Sequence, residues 1–341
     1  MHSLQERVGE LFISGFRGKT PSVEILNQLE ELSLGGIVLF AENCADHENV
    51  KRSIELLQAR SQKRLFVAID QEGGRVCRLY GKPAEYDSAE SYGGAIDEPG
   101  PTLDAALALY RTDFEAAAEY ISGLGINVLL GPVCDLRPDD EPQSSSTALS
   151  GRTFGAAPDV VSAFVRQTVE TAHDNHLLCC LKHAPGLGSV KADPHIALGA
   201  TRQSAIEFSQ RDMAPFRTGS AAGADSVMTS HFLIPELDSV PVTFSRVIIE
   251  SLIRKDIPDE TPLITDDLDM GALRNFGGVG AVCIKALNAG HDLLLARSND
   301  TVTQGIAALR AGLVDGTVHK DRFIEALRRV EMLRESLETV S

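Results

Sequence analysis

The chain has 341 residues, with 32 Lys and Arg against 48 Asp and Glu, which gives a formal net charge of −16 and a pI of about 5.0. This acidic balance argues against nucleic acid as a general partner, because phosphate binding requires a basic surface. No apolar run approaches the roughly 20 residues of a membrane span, so no membrane partner is expected.

The N-terminal segment and the cysteines predict a cytoplasmic location. The segment "MHSLQERVGELFISGF" lacks the basic region followed by an apolar region that makes a signal peptide. The six cysteines form no CxxC pair, and most lie in apolar runs where a free Cys acts as a small hydrophobe. A reducing compartment is the simplest interpretation. The oligomeric state is left open, with a monomer expected.

Eight short apolar runs are typical of buried strands. They are continuous and not alternating, as in parallel strands that are covered on both faces. In chain order they are "LFISGF" around 12–16, "GGIVLF" at 35–40, "LFVAID" at 65–70, "INVLLGPV" at 126–133, "LLCCLKH" at 177–183, "SVMTSH" at 226–231, "PLITDD" at 262–267 and "DLLLA" at 292–296. Amphipathic stretches separate these runs, and a last helix is predicted at about 319–338.

Eight strand–helix units in a chain of this length predict the α/β class and a single (β/α)8 TIM-type barrel over residues 1–341. The alternative is an open doubly wound sheet, which requires a GxGxxG turn after an early strand, and neither "FRGKT" nor "EGGRV" supplies one. Long polar stretches at 81–101, 137–152 and 184–202 all follow strands, so we expect them to build the active-site face.

Polar side chains stand at the ends of five of the predicted strands. They are Asp70, Gln71, Glu72, Asp135, Lys182, His183, His231, Asp266 and Asp267. Because the carboxyl ends of barrel strands meet at one face, these side chains are expected to share one pocket. The pattern alone leaves the reaction open.

Several motifs, in the same order, resemble glycoside hydrolase family 3. The stretch "LFVAIDQEGGRVCRL" (65–79) resembles the family's DQEGGRV signature, and "LITDDLDM" (263–270) its SDDLSM nucleophile strand. The stretch "LKHAPGLGSVKADPH" (181–195) is similar to the KHFPGHG…DSH loop of the bacterial β-N-acetylglucosaminidase (NagZ-type) branch. The resemblance runs from about residue 10 to about residue 300.

The resemblance implies a retaining exo-β-N-acetylglucosaminidase, of the β-N-acetylhexosaminidase type, that acts on muropeptide fragments of the cell wall. Asp266 matches the nucleophile, which forms a covalent glycosyl-enzyme. His195 and Asp193 match an acid/base dyad, in which the carboxylate orients one ring nitrogen and the other moves the proton. Asp267 is expected to cap the following helix or to support its neighbour.

The resemblance also implies the groups that bind the sugar. Asp70 is expected to accept hydrogen bonds from hydroxyls, and charged donors fix the orientation of a polar ligand. The expected donors are Arg78, Arg152, Lys182 and His183. A structural role is at least as strongly expected for Glu72, Arg75 and His231. No cofactor and no metal ion is implied, and a small carbohydrate is the expected partner.

Three positions of the predicted acid/base loop depart from the family pattern. Leu187 replaces a His and removes a polar group, and Ala184 replaces an aromatic residue. Pro194 replaces a Ser, and its fixed φ either pre-sets Asp193 against His195 or restricts closure of the loop.

Other functions are compatible with parts of the pattern. The same chemistry would serve a β-glucosidase, or a phosphorylase in which phosphate replaces water, since an imidazole does not repel an anionic acceptor. A sugar-binding homologue without catalysis is a further alternative. A metal-dependent barrel hydrolase would use His183, Asp193, His195 and His231.

Overall fold

The computed structural model describes residues 3–96, 102–138 and 148–339. Its strands are β1 Phe12–Ser14, β2 Gly36–Leu39, β3 Phe66–Ile69, β4 Val128–Leu129, β5 Leu178–Ala184, β6 Gly199–Ala200, β7 Ser226–Thr229, β8 Phe232–Leu233, β9 Leu263–Thr265 and β10 Leu294–Ala296. Eight of them form one parallel sheet in the order β10-β1-β2-β3-β4-β5-β7-β9. These eight are the strands that the apolar runs predict.

Contacts between the two ends of this sheet close it into a barrel. A parallel bridge joins Ile264 of β9 to Leu293, next to β10. The amide of Thr265 donates to the carbonyl of Leu293 at 3.0 Å, and the amide of Leu268 donates to Leu295 at 2.9 Å. The predicted (β/α)8 TIM-type barrel is therefore confirmed. The β6–β8 ladder was not predicted, because pairs of two residues are too short to show a period.

Helices surround the barrel. They are α1 Val23–Leu32, α2 His47–Arg60, α3 Ala89–Gly93, α4 Leu103–Gly123, α5 Pro158–Asp174, α6 Ala205–Glu207, α7 Ala214–Ala221, α8 Arg246–Ile248, α9 Val279–Ala289, α10 Asn299–Asp315 and α11 Lys320–Thr339. Single π-helical turns, Phe208–Asp212 and Ile249–Ile253, extend α6 and α8. The helices α1, α2 and α4 have N-cap residues whose side chains accept a hydrogen bond from the backbone amide three residues later. These N-caps are Ser22, Asp46 and Thr102.

The long polar stretches are described to different extents. Those at 81–101 and 137–152 fall partly outside the described residues, which omit 97–101 and 139–147. The stretch at 184–202 is described throughout. Within the described ranges, no helix combines the length and the apolar character that crossing a membrane requires.

A buried carboxylate fastens the last helix to the amino-terminal end of the barrel. Asp292, fully buried just before β10, accepts the amide of Leu263 at 2.9 Å. Arg322 and Arg329 of α11 both contact its other oxygen, and Arg254 lies 3.5 Å away. Because a buried carboxylate has lost its hydration, it is stable only with such partners. The organisation of residues 1–341 as one domain stays a prediction.

Replacement of Asp292 tests this attachment. Asp292→Asn leaves three buried or nearly buried guanidinium groups without their shared counter-ion, so we expect the free energy of unfolding to fall by about 3–5 kcal/mol. The control is Glu48→Gln, which breaks an exposed pair with Arg52 and should cost less than about 1 kcal/mol. Urea denaturation measures both, and equal effects would contradict the assignment.

Candidate active site

The carboxyl ends of the barrel strands enclose a cavity of about 470 Å³. That volume lies within the range of small-ligand sites. All eight side chains that the sequence assigns to catalysis or binding line it: Asp70, Arg78, Arg152, Lys182, His183, Asp193, His195 and Asp266. Residues up to about 200 positions apart in the chain are thus brought together by the closure of the barrel.

A network of ion pairs forms the floor of this cavity. Lys182 is 1% exposed, and its ammonium lies 2.7 Å from Asp70 and 2.6 Å from Glu72. Arg152 makes two bonds to Glu72, at 2.7 and 2.9 Å. Arg78 reaches the second oxygen of Asp70 at 3.0 Å. The structural ion pair expected of Glu72 is present. Arg152 and Lys182 thus donate hydrogen bonds to carboxylates of the protein itself.

The charges of this network determine which groups stay ionised. Burial alone would raise the pKa of Asp70, but the charges of Lys182 and Arg78 outweigh burial and hold the pKa well below its usual range. In the same way Arg152 and Lys182 overcome burial and lower the pKa of Glu72 to about 2. Burial lowers the pKa of Lys182, but Asp70 and Glu72 raise it above its ordinary value. The carboxylates therefore act only as acceptors.

A second buried carboxylate, Asp135, holds the root of the loop that follows β5. Its Oδ2 lies 2.7 Å from Nδ1 of His183, and its Oδ1 accepts the backbone amide of Leu187 at 2.6 Å. The side chain of Leu187 is 2% exposed. Loss of a polar side chain at this position therefore leaves the anchor in place, because the anchor is a main-chain bond. The sequence places Asp135 at a strand end but does not indicate this anchoring role.

Asp266 lies immediately after β9 and lines the cavity. Its Oδ1 accepts the amide of Asp267 at 2.8 Å. Asp267 does not cap a helix, since a 3-10 turn at Gly271–Leu273 follows without a side-chain cap. Instead it accepts the amides of Asp269 and Arg297, each at 3.0 Å, and burial raises its pKa to about 6.

His231 is fully buried behind this segment. One ring nitrogen lies 2.6 Å from the hydroxyl of Thr243, and the other lies 3.1 Å from the carbonyl of Asp267. Burial lowers its pKa, so the ring is held neutral. His231 is thus a packed strand end, as expected. A structural role is also expected for Arg75, and its guanidinium donates to the carbonyls of Ala148 and Ser150.

His195 and Asp193 are in contact on the loop after β5. Nδ1 of His195 lies 2.7 Å from Oδ1 of Asp193, which also accepts the His195 amide at 3.0 Å. The His195 side chain is 60% exposed, against 20% for Asp193. Among the described residues Nε2 makes no hydrogen bond. An oriented, accessible imidazole can exchange a proton with a ligand in the cavity.

The mouth of the cavity contains residues that the sequence reasoning did not assign. They are Phe40, Glu42, Met270 and Arg297. The Arg297 guanidinium lies 4.8 Å from the centre of the Phe40 ring. Glu42 and Arg297 follow β2 and β10, so the rule of strand ends could have found them. In the described part of the chain, no three His, Cys, Asp or Glu side chains are arranged to hold a metal ion.

A buried carboxyl lies beneath both ends of the loop. Asp212, in the π-helical turn after α6, is 2% exposed and accepts a bond from the amide group of Gln203, where the loop returns. At the loop's start, a methyl group built on Gly186 would lie 2.9 Å from Cβ of Asp212. Burial raises the pKa of Asp212 to about 7.

Comparison with known proteins gives consistent results. A sequence model of the glycosyl hydrolase family 3 N-terminal domain matches residues 3–333. A β-hexosaminidase of Xylella fastidiosa (strain 9a5c) is 31% identical over 311 residues, which cover 88% of this chain and 87% of that protein.

Two solved structures have the same fold. A glycoside hydrolase family 3 β-N-acetylglucosaminidase from Paenibacillus sp. strain FPU-7 has a TM-score of 0.91 and 27% identity, over 100% of this chain and 64% of that one. This chain thus spans somewhat under two thirds of that protein. A β-N-acetylhexosaminidase from Beutenbergia cavernae DSM 12333 has a TM-score of 0.87 and 24% identity, over 98% of this chain and 99% of that one.

The raised pKa of Asp212 predicts a pH-dependent stability. The unfolded carboxyl ionises near pH 3.8 and the folded one near pH 7, so the fold loses stability as the pH rises through this window. Asp212→Asn removes the titration. Its free energy of unfolding should exceed that of the wild type by an amount that grows from pH 4 to 7 and reaches roughly 2–4 kcal/mol.

Urea denaturation at several pH values measures this difference. Gln62→Asn exchanges two uncharged side chains at an exposed position, so it serves as the control and should differ from the wild type equally at every pH. A difference for Asp212→Asn that stays flat from pH 4 to 8 would contradict the prediction.

Proposed function

The chain belongs to glycosyl hydrolase family 3, and on that premise we propose that it is a retaining exo-β-N-acetylglucosaminidase. The observation that carries the proposal is the arrangement of one cavity, with a carboxylate at Asp266 and an accessible His195–Asp193 dyad on its wall. The names of the similar proteins, β-hexosaminidase and β-N-acetylglucosaminidase, support the choice of sugar.

The proposed reaction has two steps. In the first, Asp266 attacks the anomeric carbon while Nε2–H of His195 protonates the departing glycosidic oxygen, which leaves a glycosyl–aspartate. In the second, the neutral imidazole takes a proton from water, and the water oxygen displaces Asp266. Asp193 holds Nδ1–H in both steps and stabilises the imidazolium that is present before the first step and formed again in the second.

The ion-pair network suits the sugar-binding role. Asp70 stays ionised because Lys182 and Arg78 lower its pKa, so it accepts hydrogen bonds from sugar hydroxyls without exchanging protons with them. Arg78 and Lys182, which donate to Asp70, are pre-oriented around the same cavity. Arg152 and His183, which lie 3.4 Å apart, are oriented there as well. Pre-oriented groups of this kind fix the pose of one sugar unit, and the resemblance to the family implies that this unit is the terminal one.

Two finer points belong to the same proposal. The substrate is a fragment of peptidoglycan, as the resemblance of the acid/base loop implies. The location is cytoplasmic, which the acidic composition and the scattered buried cysteines support.

Removal of the nucleophile tests the central assignment. Asp266→Ala should reduce turnover of an aryl β-N-acetylglucosaminide by at least about 1,000-fold, since the covalent intermediate cannot form. Asp267→Asn is the comparison variant, because it alters the adjacent carboxylate, whose Oδ1 accepts two main-chain amides, and it should lose far less. Unchanged turnover in Asp266→Ala would refute the proposal.

A panel of aryl glycosides separates this function from its alternatives. We expect release of the aryl group from the N-acetylglucosaminide, and much slower release from the glucoside and xyloside. The products should be the same with and without inorganic phosphate. A glycosyl phosphate product would instead show a phosphorylase. If none of the aryl glycosides is turned over, the protein would be a sugar-binding homologue without catalysis.

Replacement of His195 tests the acid/base role. His195→Ala should lower kcat/KM by about 100- to 10,000-fold for substrates with a basic leaving group, which needs protonation, and far less for a dinitrophenyl glycoside, which does not. His319→Ala alters an exposed histidine of another region and should change neither value. Equal losses on both substrates would contradict the role.

A further inference from the structure

The middle of the acid/base loop docks onto the segment that follows Asp266. The amide of Gly271 donates to the carbonyl of His195 at 3.1 Å, and the amide of Ala272 donates to the carbonyl of Pro194 at 3.1 Å. The two acceptors are the carbonyl of the residue that carries the exposed imidazole and that of the residue before it. The main chain that carries the dyad is thus held by a turn only five residues downstream of Asp266.

Gly271 allows this contact because it has no side chain. A Cβ at this position would lie 2.5 Å from the carbonyl oxygen of Ile196 and 2.7 Å from that of His195. Real Cβ contacts are essentially never this short, and the opposing atoms are backbone, so the loop itself would have to move. The φ angle of Gly271 is not positive, so close approach and not backbone conformation is what requires glycine.

The exposure of His195 makes this contact important for its position. With 60% of its side chain exposed, the ring is not held by packing, and its placement depends on Asp193 and on the path of the main chain. The root of the loop is fixed at Leu187 and its return at β6, which pairs with β8, and neither tie contacts the ring itself. A shift of about 1 Å is enough to weaken proton transfer.

We propose that Gly271 is a positioning residue that sets the reach of the His195 imidazole to the leaving-group oxygen. The turn Gly271–Leu273 thereby ties the acid/base to the strand end that carries the nucleophile, so that the two groups keep a fixed separation. This inference rests on the proposed function, because it assigns a partner to the acid/base of that reaction.

The test is the dependence of kcat/KM on the leaving group. Gly271→Ala should lower kcat/KM at least 10-fold for an alkyl or phenyl β-N-acetylglucosaminide. It should change kcat/KM less than about 2-fold for the dinitrophenyl glycoside, whose departure needs no proton. Inhibition by N-acetylglucosamine should be unchanged, because the groups of the sugar-binding floor lie in β5 and in the segments that follow β3 and β4.

Gly278→Ala is the matched control. A Cβ at Gly278 meets nothing within 4 Å, and this glycine lies seven residues along the same segment, just before α9. It should behave like the wild type on every substrate. If Gly271→Ala does not fold, Ala272→Pro is the second variant. Its ring replaces the amide hydrogen that bonds to Pro194, so it removes the second docking bond and displaces the loop at that point, and it should show the same leaving-group dependence.

The outcomes distinguish this inference from the proposed function. A loss by Gly271→Ala that is equal for all leaving groups, or no loss at all, in an otherwise active enzyme would overturn the positioning role and leave the function intact. Wild-type protein without glycosidase activity, or activity that survives Asp266→Ala, would overturn the function itself.

Discussion

The site depends on the burial of Lys182 between the carboxylates of Asp70 and Glu72, which follow β3. An ammonium in this position is stable only because both carboxylates lie within 2.7 Å of it, and they in turn require Arg78 and Arg152. This network joins β5 to the segments that follow β3 and β4 and leaves little conformational freedom at the floor. A ligand that enters finds its partners already oriented, so less entropy is lost on binding.

The wall opposite this floor is built on a different principle. The loop after β5 holds His195 through main-chain bonds, at Leu187 to Asp135 and at His195 to Gly271, and leaves the ring accessible. The floor is thus held by ion pairs between side chains, and the loop is held by bonds to its main chain. The floor holds its charged groups in one orientation, while the loop leaves an accessible imidazole beside the cavity.

The sequence predicts much of this arrangement, for identifiable reasons. Buried parallel strands read as continuous apolar runs, so all eight barrel strands are visible, and strand ends such as Asp70 and Asp266 point to the cavity. The same rule would have reached Arg297. It could not reach Asp212 or Gly271, because the burial of Asp212 and the close backbone contact at Gly271 arise from tertiary structure and leave no local pattern.

The main-chain bond at Leu187 has a consequence for how this loop varies among related proteins. Asp135 binds a backbone amide, which every residue except proline supplies. The side chain at position 187 is therefore not needed to anchor the loop. It sits in the core and is constrained by volume alone. A histidine and a leucine at this position would thus leave the attachment of the loop equally intact, because the bond is made by the main chain.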